Sequence, residues 1–162
     1  MNRHEPARAP DRPAVGRALS EALAARPPIV LGRSDYGVLE KAAISALLRA
    51  PRVAGALLEE VDRAGVVADA DLPRDAVRLG SWVEFTDSLA MAPRRARLVE
   101  RPPADLSPDE LSVLTTEGAA LVGLREGQTI VWPDRIGTDR VLTVVRVQSD
   151  PVLPRRPARR QP

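Results

Sequence analysis

The sequence predicts an α+β fold in which a short antiparallel helical hairpin, a coiled coil, precedes a β-sheet domain with one small helix. Apolar residues recur every three or four positions between residues 34 and 64. After residue 75 the period becomes two, as it does in strands. One helical stretch, EGAALVGL at 117 to 124, interrupts this second pattern, and we expect it to cover one face of an antiparallel sheet.

The hairpin is predicted from two amphipathic segments on either side of a proline. The first covers about residues 34 to 49, and Ser34 or Asp35 is available to cap it. The second covers about residues 53 to 64, after Pro51 interrupts the helical pattern. We expect the two helices to stand apart from the sheet domain as an αα-hairpin.

The two predicted helices each have an apolar and a polar face. Gly65 follows the second helix, and we expect it to end that helix in the left-handed conformation. The apolar stripes are formed by Tyr36, Leu39, Ala43, Ala46 and Leu47 on the first helix and by Val53, Leu57, Val61 and Ala64 on the second. The residues expected to face water on the second helix are Glu59, Glu60, Asp62 and Arg63.

The sheet is predicted from short runs of alternating apolar and polar residues separated by turn sequences. These runs lie at 76 to 85, 95 to 100, 111 to 114, 129 to 132 and 140 to 148. We expect the last two to form a β-hairpin. In the final run, one face is predicted to be apolar over its whole length, and it consists of Val141, Thr143, Val145 and Val147. The opposite face becomes polar toward its end and consists of Leu142, Val144, Arg146 and Gln148.

Two glycines in the small helix are unusual. Gly118 and Gly123 are costly in so short a helix, because glycine loses much backbone entropy there. The close approach of a strand or of a partner would explain them. We therefore expect either a strand or a partner to lie close to this helix.

Composition excludes several functional classes. The 162 residues include no Cys and a single His, His4, which excludes a disulfide framework, a thiolate nucleophile and a zinc ribbon. We predict no catalytic residue, no metal and no cofactor, and hence a protein that is not an enzyme. No stretch approaches the roughly 18 consecutive apolar residues of a membrane span. The beginning, MNRHEPARAP, lacks the apolar run of a secretory signal, so we expect a cytoplasmic protein.

Charge and composition divide the chain into four segments. The predicted segments are a basic tail at 1–26, the helical hairpin at 27–66, the sheet domain at 67–148 and a second basic tail at 149–162. Net charge is +3 over the second tail and +2 over residues 1–28. Both tails are rich in Pro and Arg, and two interpretations remain open: solvated ends, or segments that make weak contact with nucleic acid. Residues 14–26 have the apolar spacing of a helix.

A series of stretches resembles the Rnk family, the regulators of nucleoside diphosphate kinase, and more distantly the transcript-cleavage factors GreA and GreB. In chain order these stretches are IVLGRSDYGVLE, a short αα-hairpin, DAVRLGSWVEFTD, LSVLTTEGAALVGLREGQTIVW and a final β-hairpin. The likeness covers residues 27 to 150, and its most specific part is the helix GAALVGL, the turn EGQ and Trp132. It implies a carboxy-terminal domain that is FKBP-like, with the fold of FK506-binding proteins, from which the hairpin projects.

The resemblance also implies a transcription regulator that binds bacterial RNA polymerase at the rim of its secondary channel. The residues that it places at the polymerase contact are Thr115, Thr116, Glu117, Gly118 and Trp132, and those at the hairpin tip are Arg49, Pro51 and Arg52. The tip, LLRAPRVAG, departs from the acidic motif with which Gre factors are thought to hold a catalytic magnesium ion. Thr115 and Thr116 likewise replace the Ser-Pro or Ala-Pro of the family. We therefore expect polymerase binding without stimulation of transcript cleavage.

Two other functions remain open at this point. The FKBP-like fold suggests a prolyl isomerase, but an isomerase pocket is built from several aromatic side chains, and this chain has one Tyr, one Phe and two Trp. The family name suggests a modulator of nucleoside diphosphate kinase or of another metabolic partner. In each case we expect a monomer that makes no contact with a membrane.

Overall fold

The computed structural model describes residues 25–149 as a helical hairpin joined to a small sheet domain. The helices are α1 (Arg33–Ala46), α2 (Pro51–Arg63) and α3 (Thr116–Leu121). The strands are β1 (Val30–Gly32), β2 (Gly65–Val67), β3 (Trp82–Asp87), β4 (Arg94–Val99), β5 (Glu110–Ser112), β6 (Thr129–Pro133) and β7 (Asp139–Gln148). The predicted α+β class, with a helical hairpin and a β domain, is confirmed.

Several predictions fall on residues that lie outside this range. The helical pattern at 14–26 and the two basic tails are represented among the described residues only by residues 25, 26 and 149. Within the described chain, no helix is both long enough and apolar enough to cross a membrane.

The main sheet has five strands in the order β5-β4-β3-β7-β6. The pairs β3–β4, β3–β7 and β6–β7 are antiparallel, and the last of these is the predicted hairpin. The pair β4–β5 is parallel, so the sheet is mixed instead of purely antiparallel. A separate pair, β1–β2, is also parallel and lies at the base of the hairpin.

The alternation predicted for the final strand is wrong in its assignment of faces. Leu142 and Val144 are buried, whereas Val145 is 46% exposed and Val147 is buried again. The register between β3 and β7 shifts at this point, because consecutive residues of β3 pair with Val144 and Arg146. Val145 is the extra residue of a β-bulge, which reverses the inward and outward order along the strand.

Helix α3 lies between the sheet and the hairpin. It packs against β5, β6 and β7 on one side and against α2 on the other. Residues from the hairpin and from the sheet therefore belong to one apolar core, in which the hairpin contributes Leu39, Ala43, Leu57 and Val61. The hairpin projects only at its far end, where Leu48 is 98% exposed, while its base is buried against α3.

The first turn of α1 is capped from outside the helix. Neither Ser34 nor Asp35 provides the N-cap, which falls on Gly32 without a side-chain bond. Instead Asp69 accepts hydrogen bonds from the backbone N–H of Ser34 at 3.1 Å and from its hydroxyl at 2.5 Å. Asp35 accepts the N–H of Leu79 at 3.0 Å, and burial raises the pKa of its carboxyl. Two carboxylates thus tie α1 to the segment that leads into the sheet.

The polar face predicted for α2 contains one error, because Glu60 is fully buried. It lies one turn after Leu57 and beside Val61, so it shares the buried face of the helix. Its carboxylate accepts hydrogen bonds from Arg63 and, at 3.1 Å, from Arg26. Burial of this charge is tolerated because both of its oxygens are paired with arginine.

The stop predicted at Gly65 also differs from the structure. Helix α2 ends at Arg63, and Ala64 is already extended, with ψ of 140°. Gly65 begins β2, where it pairs with Val30 and donates its N–H to Ile29 at 3.0 Å. The helix therefore ends because the chain enters a strand, and no left-handed glycine is used.

Replacement of Asp69 by Ala should lower the free energy of unfolding by about 1 kcal/mol at neutral pH, because α1 loses its cap. The hydroxyl of Ser34, followed by its backbone N–H, holds the pKa of Asp69 below its ordinary value. The stabilisation is therefore present at neutral pH and is lost as the pH falls through the folded-state pKa. Urea unfolding of both proteins at neutral and at acidic pH measures this. The control is Asp71→Ala in the same turn, and an equal loss in both variants would contradict the capping role.

Candidate docking surface

The amino-terminal end of α3 is the centre of the predicted contact surface. The hydroxyl oxygen of Thr115 accepts the N–H of Gly118 at 3.1 Å, and the hydroxyl donates to the carbonyl of Ser112 at 2.7 Å. Thr115 is thus the cap of this helix, a role that Thr performs well. Thr116 and Glu117 follow it and are half-buried. A partner that approaches this end of the helix would meet Thr116 and Glu117.

Gly118 is buried, and the chain itself makes the close approach that its presence predicts. A Cβ atom at this position would lie 1.9 Å from the carbonyl oxygen of Ser112 at the end of β5. Gly123 was predicted within this helix, but it lies beyond the end of α3 with φ of 71°. A Cβ there would lie 3.1 Å from the carbonyl oxygen of Val30 in β1, so a strand approaches both glycines although only Gly118 is helical. Any side chain at Gly118 would disturb the fold itself. The glycine therefore supports this surface from the interior of the fold.

Two charged side chains, Asp87 and Arg140, hold Glu117 in place. Arg140 on β7 donates through Nε to Asp87 at 3.0 Å and makes a second, shorter bond to the same carboxylate through Nη2. Its Nη1 lies 3.4 Å from Glu117. Asp87 is only 5% exposed, whereas Arg140 and Glu117 are half-buried. The paired carboxylate fixes the guanidinium, which in turn holds Glu117 at the surface.

Exposed apolar side chains lie at the same end of the sheet. Leu89 is 64% exposed and Met91 fully exposed in the loop that follows Asp87, and Ile136 is 85% exposed in the turn between β6 and β7. The backbone of Ser88 bonds to that of Val141 at 3.0 Å, which ties this loop to the start of β7. Exposed apolar residues beside charged ones at one end of a sheet suit a protein-binding surface.

We call this set of residues the docking end, and it consists of Leu89, Met91, Thr116, Glu117, Ile136 and Arg140. Of these six residues, only Thr116 and Glu117 were predicted from the sequence. The apolar members stand in the turn sequences TDSLAMAP and PDRIGTD, where a large apolar residue has no core to enter. A large apolar residue within a turn sequence was therefore the feature of the sequence that could have indicated this surface.

Trp132 occupies a different place from the other predicted contact residues. It is 4% exposed, and the guanidinium of Arg26 lies over its ring at 5.5 Å. Arg26 also reaches Glu59 and Glu60 at 3.1 Å each. Trp132 therefore connects β6 to the buried charge of α2 and offers little surface to a partner.

The hairpin tip forms a second exposed surface. Arg49, Pro51 and Arg52 are exposed, and Leu48 extends almost completely into solvent. Ile44 and Leu47 are also exposed near the end of α1. Among the described residues, no group of three His, Cys, Asp or Glu side chains is placed to hold a metal ion. The tip thus presents two cations and an apolar edge.

The fold and the projecting hairpin define the class of protein, which has the fold of the GreA/GreB transcription elongation factors. The structure is similar to that of the prokaryotic transcription elongation factor GreA/GreB from Nitrosomonas europaea, with a TM-score of 0.57 and 28% sequence identity. The match covers 74% of this chain and 98% of that one.

The sequence relationship is more specific. No family model matches the chain. Over 131 residues, however, it is 33% identical to the "Regulator of nucleoside diphosphate kinase" of Escherichia coli (strain K12), which covers 78% of this chain and 93% of that protein. The protein of the same name from Shigella flexneri matches to the same extent. The chain belongs to the family of regulators of nucleoside diphosphate kinase.

Substitution of Gly118 in α3 and of Gly37 in α1 should have opposite effects. Gly118→Ala places a Cβ against the Ser112 carbonyl and should destabilise the protein by about 3 kcal/mol or more, since neither backbone can move freely. Gly37→Ala, in the open face of α1, meets nothing within 4 Å and should stabilise it by about 0.5–1 kcal/mol. Chemical denaturation of both variants measures the difference. A Gly118→Ala protein as stable as the parent would rule out the close approach.

Proposed function

We propose that this protein regulates transcription by binding bacterial RNA polymerase at the rim of its secondary channel, and that it does so without stimulating transcript cleavage. Three features support the proposal: its similarity to a protein named as a transcription elongation factor, its membership of a family named as regulators, and the docking end. The docking end is the observation that carries it. It combines exposed apolar side chains with a fixed network of Asp87, Arg140 and Glu117.

The chemistry of the docking end suits a helical or loop surface of a protein partner. Leu89, Met91 and Ile136 provide apolar area that would leave water on binding. Arg140 is already held by Asp87, so little side-chain entropy is lost when a partner contacts it. Met and Arg are both enriched at protein interfaces, and Arg is also enriched among binding hot spots. The partner is therefore expected to combine an apolar ridge with a polar rim.

The hairpin tip supports the second half of the proposal. Its sequence, LLRAPRVAG, supplies Arg49 and Arg52 and no carboxylate. Mg²⁺ is bound through oxygen ligands, usually one or two carboxylates, and two cations repel it. The helices of 14 and 13 residues span only about 20 Å at 1.5 Å per residue. A tip of this length and charge is unsuited to delivering a metal ion to a distant catalytic centre.

Loss of the apolar anchors should weaken polymerase binding. Leu89→Ser combined with Met91→Ser should raise the Kd for core RNA polymerase about tenfold or more, because both side chains are exposed and available to a partner. Surface plasmon resonance on the immobilised polymerase measures this, with thermal unfolding to check the fold.

The matched control for that experiment removes exposed apolar area elsewhere. Val66→Thr combined with Val145→Thr changes two exposed valines outside the docking end and should leave the Kd within about twofold. Equal weakening by both double variants would show that the docking end has no particular role.

The absence of cleavage stimulation can be tested on a stalled, backtracked elongation complex with labelled RNA. The protein alone should leave the transcript intact, and titration should reduce the cleavage stimulated by a Gre factor, since both proteins would need the same rim. The Leu89→Ser, Met91→Ser variant should lose this inhibition. Arg49→Asp with Arg52→Glu should keep it and still produce no cleavage, because the hairpin is too short. Shortened RNA in the presence of the parent protein alone would refute the proposal.

A second candidate function rests on the name of the family. Modulation of nucleoside diphosphate kinase would use the same docking end on another partner. Pull-down with the full chain distinguishes the two, because retention of the kinase and not of the polymerase would favour this alternative. The prolyl isomerase is not supported, since Phe85 and Trp132 are buried in the core and cannot line an accessible pocket.

A further inference from the structure

The outer face of the five-stranded sheet is a second surface with its own chemistry. Helix α3 covers the inner face, so alternate residues of β3, β4 and β7 point away from it. On these strands the outward residues near one end are Trp82, Glu84, Arg95, Arg97, Arg146 and Gln148. The face thus combines one aromatic ring with three arginines and one carboxylate.

The register brings these side chains together around a shallow hollow. Glu84 pairs with Arg95 on one side and with Arg146 on the other. Trp82 pairs in the same way with Arg97 and Gln148. The hollow measures about 250 Å³ and is lined by five of the six residues, Trp82, Glu84, Arg95, Arg146 and Gln148. Its volume suits one planar ring system, such as a nucleobase.

A cation already covers the aromatic ring. The guanidinium of Arg95 lies 4.6 Å from the ring centre of Trp82 and donates to the side-chain carbonyl of Gln148 at 2.9 Å. Arg97 is held on the same strand by a bond to the carbonyl of Gly80 at 3.2 Å. Arg97 is thus positioned before any ligand binds, whereas the Arg95 guanidinium must leave the ring for a base to stack in its place.

The most basic part of the chain begins beside this hollow. Strand β7 ends at Gln148, and the hydroxyl of Ser149 lies 3.1 Å from that of Ser81, next to Trp82. The sequence then continues as DPVLPRRPARRQP, with four arginines and one aspartate. The cations of the sheet face attract a polyanion, and the sequence that follows the described residues carries the same sign of charge.

We propose that the outer sheet face is a binding site for single-stranded nucleic acid, in which an unpaired base displaces the Arg95 guanidinium from Trp82 and stacks there, with phosphates on Arg95, Arg97 and Arg146. Proteins bind single strands through aromatic rings and arginines on an open surface, because every base has a face that can stack. A duplex hides those faces. Glu84, at the centre of the hollow, is suited to accept an amino N–H from the edge of a base, as carboxylates do.

An acidic peptide is the other polyanion that such a face could attract. The sheet face favours nucleic acid, because Glu84 would repel a peptide carboxylate and the Trp82 ring would have no planar partner. This site is separate from the docking end, which lies where β3 ends and β7 begins. The inference consequently goes beyond the proposed function and does not depend on it.

Fluorescence anisotropy of a labelled 20-nucleotide RNA of mixed sequence, titrated with the full-length protein at low salt, tests the site. Arg95→Gln combined with Arg146→Gln should weaken binding about tenfold or more and should reduce the slope of log affinity against log salt by about 1.4, for two lost phosphate contacts. The control, Arg49→Gln combined with Arg52→Gln, removes the same charge at the hairpin tip and should weaken binding less than about twofold.

Stacking has a separate readout in tryptophan fluorescence. RNA should quench the parent protein, while Trp82→Phe should retain most of the affinity and lose the quenching, because Phe still stacks and Trp132 is buried. Trp82→Thr, which suits a strand but cannot stack, should weaken binding about fivefold or more.

Four results would overturn the inference. They are equal losses in the sheet and tip variants, binding of the duplex as tight as of the single strand, and tighter binding of a polyglutamate peptide than of RNA. The fourth is loss of binding only when Arg155, Arg156, Arg159 and Arg160 are changed to Gln, which would assign the interaction to the tail alone.

Discussion

The contact between Gly118 and the Ser112 carbonyl is the constraint on which the rest of the structure depends. It lets α3 lie directly against the end of β5, at a distance that no residue with a side chain could reach. With α3 in this position, one of its sides covers the inner face of the sheet and the other receives α2. A helix of six residues can thus join two apolar layers that would otherwise each expose a face.

A buried charge completes the attachment of the hairpin. Glu60 accepts from Arg63 and Arg26, and Arg26 also covers the ring of Trp132 on β6. These contacts join three parts of the chain, which are the segment before β1, helix α2 and the sheet. An ion pair in such a place contributes little net stability but is costly to break, because a single remaining charge would be left out of water. Its effect is to determine where the base of the hairpin lies.

This arrangement leaves three different surfaces free. The docking end has apolar side chains and a braced arginine, which suits a protein partner. The outer sheet face has an aromatic ring among arginines, which suits a polyanion with planar groups. The hairpin tip has cations and an exposed apolar edge. All three surfaces lie outside the apolar core, which is enclosed between the sheet and the hairpin.

The sequence by itself determined the hairpin helices, the small helix and the strands of the main sheet, because helix and strand periods act over a few residues. It also determined the family and the basic tip, but not β2, which depends on pairing with the distant β1. Only the tertiary structure decided that Glu60 is buried, that Asp69 caps α1 and that Val145 forms a bulge, since each depends on a residue distant in sequence. The docking end likewise could not be predicted from short stretches of the sequence. Leu89, Ile136 and Arg140 lie on separate turns and strands, and strand pairing alone brings them to one end of the sheet.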